Sequence, residues 1–154
     1  MAKVGLIMGS ESDREVVKEA VPYLDYFGIE YDMQVMSAHR TPARVQEFAA
    51  GAQENGFDVL IACAGMAAHL PGVVAAYTTL PVIGVPLAAG PLQGQDALYA
   101  IVQMPAGVPV ATMAIGKAGV RNAAIFSAQI IARSREQVAG RLFEFKKNQC
   151  KLPK

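Results

Sequence analysis

Five short apolar runs alternate with stretches of helical periodicity along this chain, and that alternation restricts the fold more than any other feature of the sequence. The runs are Val4–Met8, Tyr31–Met36, Val59–Ala64, Val82–Val85 and Val108–Ile115, each followed by Gly, Ser or Pro and then by a helical pattern. The first, third and fourth are almost continuously apolar, as strands buried on both faces of a parallel sheet must be, whereas Tyr31–Met36 keeps polar interruptions. Repeated βα units joined by right-handed crossovers give a three-layer α/β/α sandwich of the flavodoxin-like or Rossmann-like kind. The expectation carried forward is the flavodoxin-like one, a parallel five-stranded sheet in the order 2-1-3-4-5.

The helices between the runs have readable starts. Ser10 or Ser12 can cap a helix from about Asp13 to Phe27, and Thr41-Pro42 supplies an N-cap and an N1 proline for a second that ends near Gly56. Pro71 fits the N1 position of a third. Further helices are expected over Gly94–Val102 and Asn122–Ala132, with a C-terminal one at about 135–147 that places Val138, Leu142 and Phe145 on one face. No internal repeat, low-complexity tract or Gly/Ser linker interrupts the 154 residues, so positions 1–154 are expected to form one domain.

Composition enters through an imbalance. Apolar residues make up 53% of the chain and charged residues 18%, against about 45–50% and 25% in a typical soluble domain. No stretch approaches the roughly 20 apolar residues that a bilayer demands, so the excess is expected in an extensive interface between identical subunits and not in a membrane. The formal net charge is +1, and the 14 Lys and Arg residues are scattered instead of forming a stripe, so nucleic acid is not an expected partner. Val4–Met8 is too short for a signal-peptide core, which makes cytoplasmic residence the default. Cys63 and Cys150 share neither CxxC nor metal-type spacing and read as reduced thiols, with Cys63 in the core.

In such a sheet, ligands bind beyond the carboxyl ends of the strands where the strand order reverses. At those ends stand Gly9-Ser10-Glu11-Ser12-Asp13, Ser37-Ala38-His39-Arg40-Thr41-Pro42 and Gly65-Met66-Ala67-Ala68-His69-Leu70-Pro71-Gly72, and both histidines of the chain fall within them. The order 2-1-3-4-5 makes the three loops neighbours, so Ser10, Asp13, His39, Arg40 and His69 converge on one cleft. The first loop reads either as a turn with a helix cap or as an anion or ribose site, in which free helix N–H groups and a serine hydroxyl meet phosphate and Asp13 accepts from ribose hydroxyls. No GxGxxG or GxxxxGK[ST] string is present, which argues against a dinucleotide or a P-loop triphosphate; one phosphate is enough.

Arg40 at a helix start opposes the helix dipole unless a bound anion compensates, the plain alternative being a solvated surface arginine. His39, between Ser37 and Arg40 at a strand end, suits acid/base work better than a merely structural role. His69 serves either to hold its own loop or to touch the substrate. A metal site would need more ligands than these strings offer, and neither Ser10 nor Ser37 lies in a GxSxG setting suited to a serine hydrolase. Gly116-Lys117-Ala118-Gly119 reads as a glycine-rich approach to a helix in preference to an anion loop.

Taken together, these three loops and Ile101-Val102-Gln103-Met104-Pro105 resemble the PurE family from Val4 to about Ala132, the SAHRTP and AAHLPG strings being highly specific in combination. The resemblance implies a flavodoxin-like fold, a homo-octamer, no metal and no organic cofactor. It implies purine biosynthesis, and an enzyme that converts N5-carboxyaminoimidazole ribonucleotide (N5-CAIR) to 4-carboxy-5-aminoimidazole ribonucleotide (CAIR). A second branch of the family carboxylates aminoimidazole ribonucleotide (AIR) directly with carbon dioxide. Arg40 and the AAHLPG string resemble the mutase branch, while Met66 stands where that branch usually has glycine. By the same resemblance His39 is the general acid/base, Ser10 and Asp13 bind the ribose phosphate end and Arg40 holds the phosphate. Ser37, Gly65 and His69 join the substrate site, and the small apolar loop Gly65–Leu70 suits the holding of carbon dioxide. The competing expectation is a non-catalytic nucleotide-binding module on the same fold.

Overall fold

The computed structural model describes residues 1–153, and its centre is an all-parallel sheet of five strands in the order β2-β1-β3-β4-β5. The strands are β1 (Lys3–Met8), β2 (Glu30–Val35), β3 (Val59–Gly65), β4 (Val82–Leu87) and β5 (Ala111–Thr112). β1, β3 and β4 are buried along almost their whole length, and β2, at one edge, carries the polar interruptions. This is the flavodoxin-like order, with the chain reversing direction across the sheet between β1 and β3.

Alternate residues of the central strands feed two separate cores, as the two-residue period of a strand requires. Leu6, Met8, Ile61, Cys63, Ile83 and Val85 face α1 (Arg14–Val17), α2 (Val21–Phe27), α6 (Lys117–Ile131) and α7 (Glu136–Lys147) through Val17, Leu24, Phe27, Val120, Ala124 and Phe145. Ile7, Leu60, Ala62 and Val82 face α3 (Pro42–Gly51), α4 (Leu70–Tyr77) and α5 (Gln95–Val102) through Val45, Ala49, Val74, Ala97 and Ile101. Gly84 permits the second layer to close on the sheet, because a Cβ there would stand 2.5 Å from Ile101 Cγ2. Among the described residues no helix is long and apolar enough to cross a membrane.

Several local expectations are corrected. The helix expected over Asp13–Phe27 is broken into α1 and α2 by a tighter 3₁₀ turn at Lys18–Ala20, because Pro22 has no N–H for the carbonyl one turn back. The run Val108–Ile115 yields only a two-residue strand; Pro109 lacks a ladder donor and Gly107 bends the backbone at φ 98°. Pro71 occupies the second position of α4, since Leu70 opens the helix and His69 precedes it. The helix expected over Asn122–Ala132 begins at Lys117, so Gly116 is its N-cap and Lys117–Gly119 form its first turn. The helix after Thr41-Pro42 ends at Gly51, and residues to Gly56 continue as turns. Gly94–Val102 and the C-terminal helix are found within a residue of their expected starts.

Candidate active site

The carboxyl ends of β1, β2, β3 and β4 enclose a cleft of about 370 Å³. One wall is polar and comes from the first two loops, with Ser10, Ser12, Asp13, Ser37, His39 and Arg40 facing in. The other is apolar and comes from the loops after β3 and β4, with Ala64, Gly65, Met66, Ala67, Leu70 and Ala89. The expected convergence of loops one, two and three is therefore found for Ser10, Asp13, His39 and Arg40, whereas His69 is not among the residues that line the cleft. Ala89 is an addition from loop four, which the strand order alone could have supplied, because β4 lies next to β3.

On the polar wall, Ser10 caps the first turn: its Oγ accepts from the Ser12 N–H at 3.3 Å and lies 2.8 Å from Ser12 Oγ. Asp13 is half-buried beneath it. Loss of hydration raises its carboxyl above the ordinary carboxylate range, with a backbone hydrogen bond at Ser10 working in the other direction. Cys63 lies in the core below, and burial first, then the nearby Asp13 charge, pushes its thiol far up, so it is no nucleophile.

The second loop is a closed hydrogen-bonded unit. Thr41 does not cap α3 with its side chain as expected; its Oγ1 instead accepts from the Ser37 N–H at 2.9 Å and donates to the Ser37 carbonyl. Ser37 Oγ in turn accepts from the N–H groups of His39 (3.3 Å) and Arg40 (3.2 Å), fixing the backbone of both, and keeps one hydroxyl hydrogen to offer. The first turn of α3 holds no acidic residue. None of the ion pairs among the described residues involves Arg40. An exposed guanidinium with no counter-ion beside a helix N-terminus is an arrangement suited to an anion.

His39, in the cleft lining, meets His69 with Nε2 of the first 2.8 Å from Nδ1 of the second and the rings edge to face. One nitrogen must donate and the other accept, so the contact fixes the tautomers jointly. A neutral His39 that donates through Nε2 presents a bare Nδ1, a base, and one that accepts presents Nδ1–H. The sequence held no signal for this pairing, which joins loops from strands that are not neighbours. The ring of His69 is directed to His39. Among the described residues no group of three His, Cys, Asp or Glu is gathered as for a metal.

The apolar wall is tightly made. A Cβ on Gly65 would stand 2.8 Å from the Ala89 Cβ, so only glycine lets loops three and four touch. Met66 follows with φ 53°, a left-handed conformation that costs a residue with a side chain roughly 1–2 kcal/mol. Its carbonyl accepts from the Ala68 N–H at 2.8 Å.

Comparisons with known proteins are consistent with one another. The family described as AIR carboxylase matches residues 3–151. N5-carboxyaminoimidazole ribonucleotide mutase of Vibrio vulnificus is 51% identical, the match covering 96% of this chain and 91% of the relative. The mutase of Bacillus subtilis is 54% identical over 94% of this chain and 90% of its own, and that of Thermotoga maritima is 52% identical over 95% and 84%. The crystal structure of Treponema denticola PurE superposes with a TM-score of 0.85 at 25% identity, covering 97% of this chain and 92% of that one.

Proposed function

The chain belongs to the AIR carboxylase family, and from that premise we infer that it is an N5-carboxyaminoimidazole ribonucleotide mutase of purine biosynthesis whose proton carrier is His39. The names of the curated relatives favour the mutase over both the direct carboxylase and a non-catalytic module. The observation that carries the mechanism is the place of His39 on the polar wall of a cleft whose other wall is apolar.

The phosphate of N5-CAIR lies against Arg40 and the donors of the first loop, with Ser10 and Asp13 on the ribose phosphate end and the Ser37 hydroxyl as a further donor. Protonated His39 donates to the nitrogen that bears the carboxyl, the N–C bond breaks with its electron pair left on nitrogen, and carbon dioxide and AIR result. C4 of the aminoimidazole then attacks carbon dioxide, and His39, now neutral, removes the C4 proton to leave CAIR. One imidazole thus gives and recovers a single proton. His69 positions that imidazole through its Nδ1. Gly65 and its apolar neighbours hold the carbon dioxide away from water, which would otherwise hydrate it.

The same reading includes a single domain over residues 1–154, residence in the cytoplasm and a homo-octamer. The apolar side chains left exposed on one chain, among them Leu92, Tyr99, Val102 and Phe143, support assembly with further copies. The test of activity is direct: purified protein incubated with N5-CAIR and no ATP is expected to form CAIR, and absence of CAIR would overturn the reading.

A further inference from the structure

We propose that Thr41 is a positioning residue for the carboxyl transfer: its hydroxyl acts through Ser37 to hold His39 and Arg40 in one fixed relation, instead of capping the helix that it precedes. The proposal rests on the mutase reading above and concerns a residue outside the cleft lining. Three observations carry it.

First, the segment Ser37–Thr41 is a closed turn whose internal hydrogen bonds all involve Ser37. The Thr41 N–H donates to the Ser37 carbonyl at 2.9 Å. Thr41 Oγ1 donates to the same oxygen at 3.1 Å and accepts from the Ser37 N–H at 2.9 Å. One threonine thus meets both polar groups of the Ser37 backbone, and Ser37 Oγ in turn holds the N–H groups of His39 and Arg40.

Second, Thr41 stands at the N-cap of α3, where a threonine hydroxyl ordinarily accepts from an N–H of the first turn, yet its side chain makes no such bond. Only its carbonyl serves the helix, accepting from Arg44 and Val45. Pro42 keeps the preceding residue out of the helical region, and Thr41 at φ −134°, ψ 54° has its hydroxyl turned back to the loop. A local rule broken in this way is expected beside a functional site. Third, Thr41 is exposed, so its side chain adds little packing and acts chiefly by direction.

His39 and Arg40 are consecutive, and a shift of their shared backbone moves both. Proton transfer and phosphate binding should therefore fail together when the hydroxyl is lost. Thr41→Val keeps the shape of the side chain and removes the hydroxyl. It is expected to lower kcat, and separately the affinity for CAIR, by about two- to tenfold each, on the order of one net hydrogen bond. Affinity for the nucleoside of CAIR, which lacks the phosphate, should not change. Thr41→Ser restores the hydroxyl and should return both quantities to within about twofold of wild type. Circular dichroism checks the fold, and Thr41→Ala replaces the valine variant if that one does not fold.

A folded variant without the hydroxyl that keeps wild-type kcat and CAIR affinity, even if it melts lower, would overturn the proposal. So would a serine variant as impaired as the valine one, or an equal loss of affinity for nucleotide and nucleoside. Failure of the wild type to turn over N5-CAIR would remove the mutase reading instead, and the nucleotide and nucleoside affinities would still report whether Thr41 acts on Arg40.

Discussion

The two walls of the cleft are built on opposite principles. The polar wall is held by hydrogen bonds that end within its own loops: Ser37 and Thr41 tie the second loop shut, and Ser10 and Ser12 do the same for the first. Its functional groups, Asp13, His39 and Arg40, project from segments whose backbone is already satisfied. The apolar wall has no such side-chain network and is defined by close approach, with glycine at 65 and 90 and a methionine in a strained conformation between them. Rigid donors suit a charged phosphate whose position must not vary, and a dry seam suits a neutral gas that must not leave. The comparison suggests that polar-wall substitutions change rate or affinity, whereas apolar-wall substitutions change the fate of the intermediate.

The largest effect is expected on the polar wall. His39→Asn should lower turnover by about 10²–10⁴, the usual contribution of a general acid/base, with fold and ligand affinity largely kept. Steady-state kinetics beside a binding isotherm test it, and a loss under about tenfold would remove His39 from the mechanism.

Next comes the phosphate contact. Arg40→Ala should weaken ribonucleotide binding by about 10- to 150-fold, corresponding to roughly 1.5–3 kcal/mol for a charge-assisted hydrogen bond, and leave nucleoside binding unchanged. An equal loss for nucleotide and nucleoside would make Arg40 a support of its loop.

His69 offers a finer test. His69→Phe should lower kcat by about two- to tenfold, the equivalent of one hydrogen bond of 0.5–1.5 kcal/mol, with KM little altered. His69→Asn, whose amide reaches the place of Nδ1, should recover most of that loss. If both variants lose activity equally, the 2.8 Å contact is not how His69 acts.

The smallest effect concerns pH. The folded pKa of Asp13 is raised, chiefly by burial, so its protonated form favours the folded state. That contribution is fully present below the unfolded pKa, near 4, and is lost as pH rises through the folded value. Asp13→Asn should therefore stabilise the protein at pH 7 by less than about 1 kcal/mol, given the partial exposure of the group, while weakening ribonucleotide binding. Melting curves across the acidic range should show the gain shrinking as pH falls, and a variant less stable than wild type at neutral pH would contradict the assignment.

The polar wall was legible in advance because its side chains conflict with their local setting. An arginine where a helix start prefers an acid and a histidine between Ser37 and Arg40 need an external partner to make sense, and the structure brings Ser10, Asp13, His39 and Arg40 into one cleft. Of the apolar wall, the loop Gly65–Leu70 was legible from its place at a strand end and from resemblance, but its packing was not. Gly65, Ala67 and Ala89 resemble any small residues near a strand end, and the conformation of Met66 leaves no trace in its residue type.

The sequence alone determined the alternation of strands and helices, the doubly wound fold and the loops that carry chemistry, since these follow from periodicities of two and 3.6 residues and from the apolar runs of buried strands. Its errors of extent at Pro22 and Pro109 are also local, each traceable to one missing N–H. Tertiary structure alone decided that His69 pairs with His39, that Gly65 meets Ala89 and that Met66 lies across Gly90. Those are contacts between segments 24 to 30 positions apart, set by how far each loop leans over the sheet, and no rule of local spacing reaches across that distance.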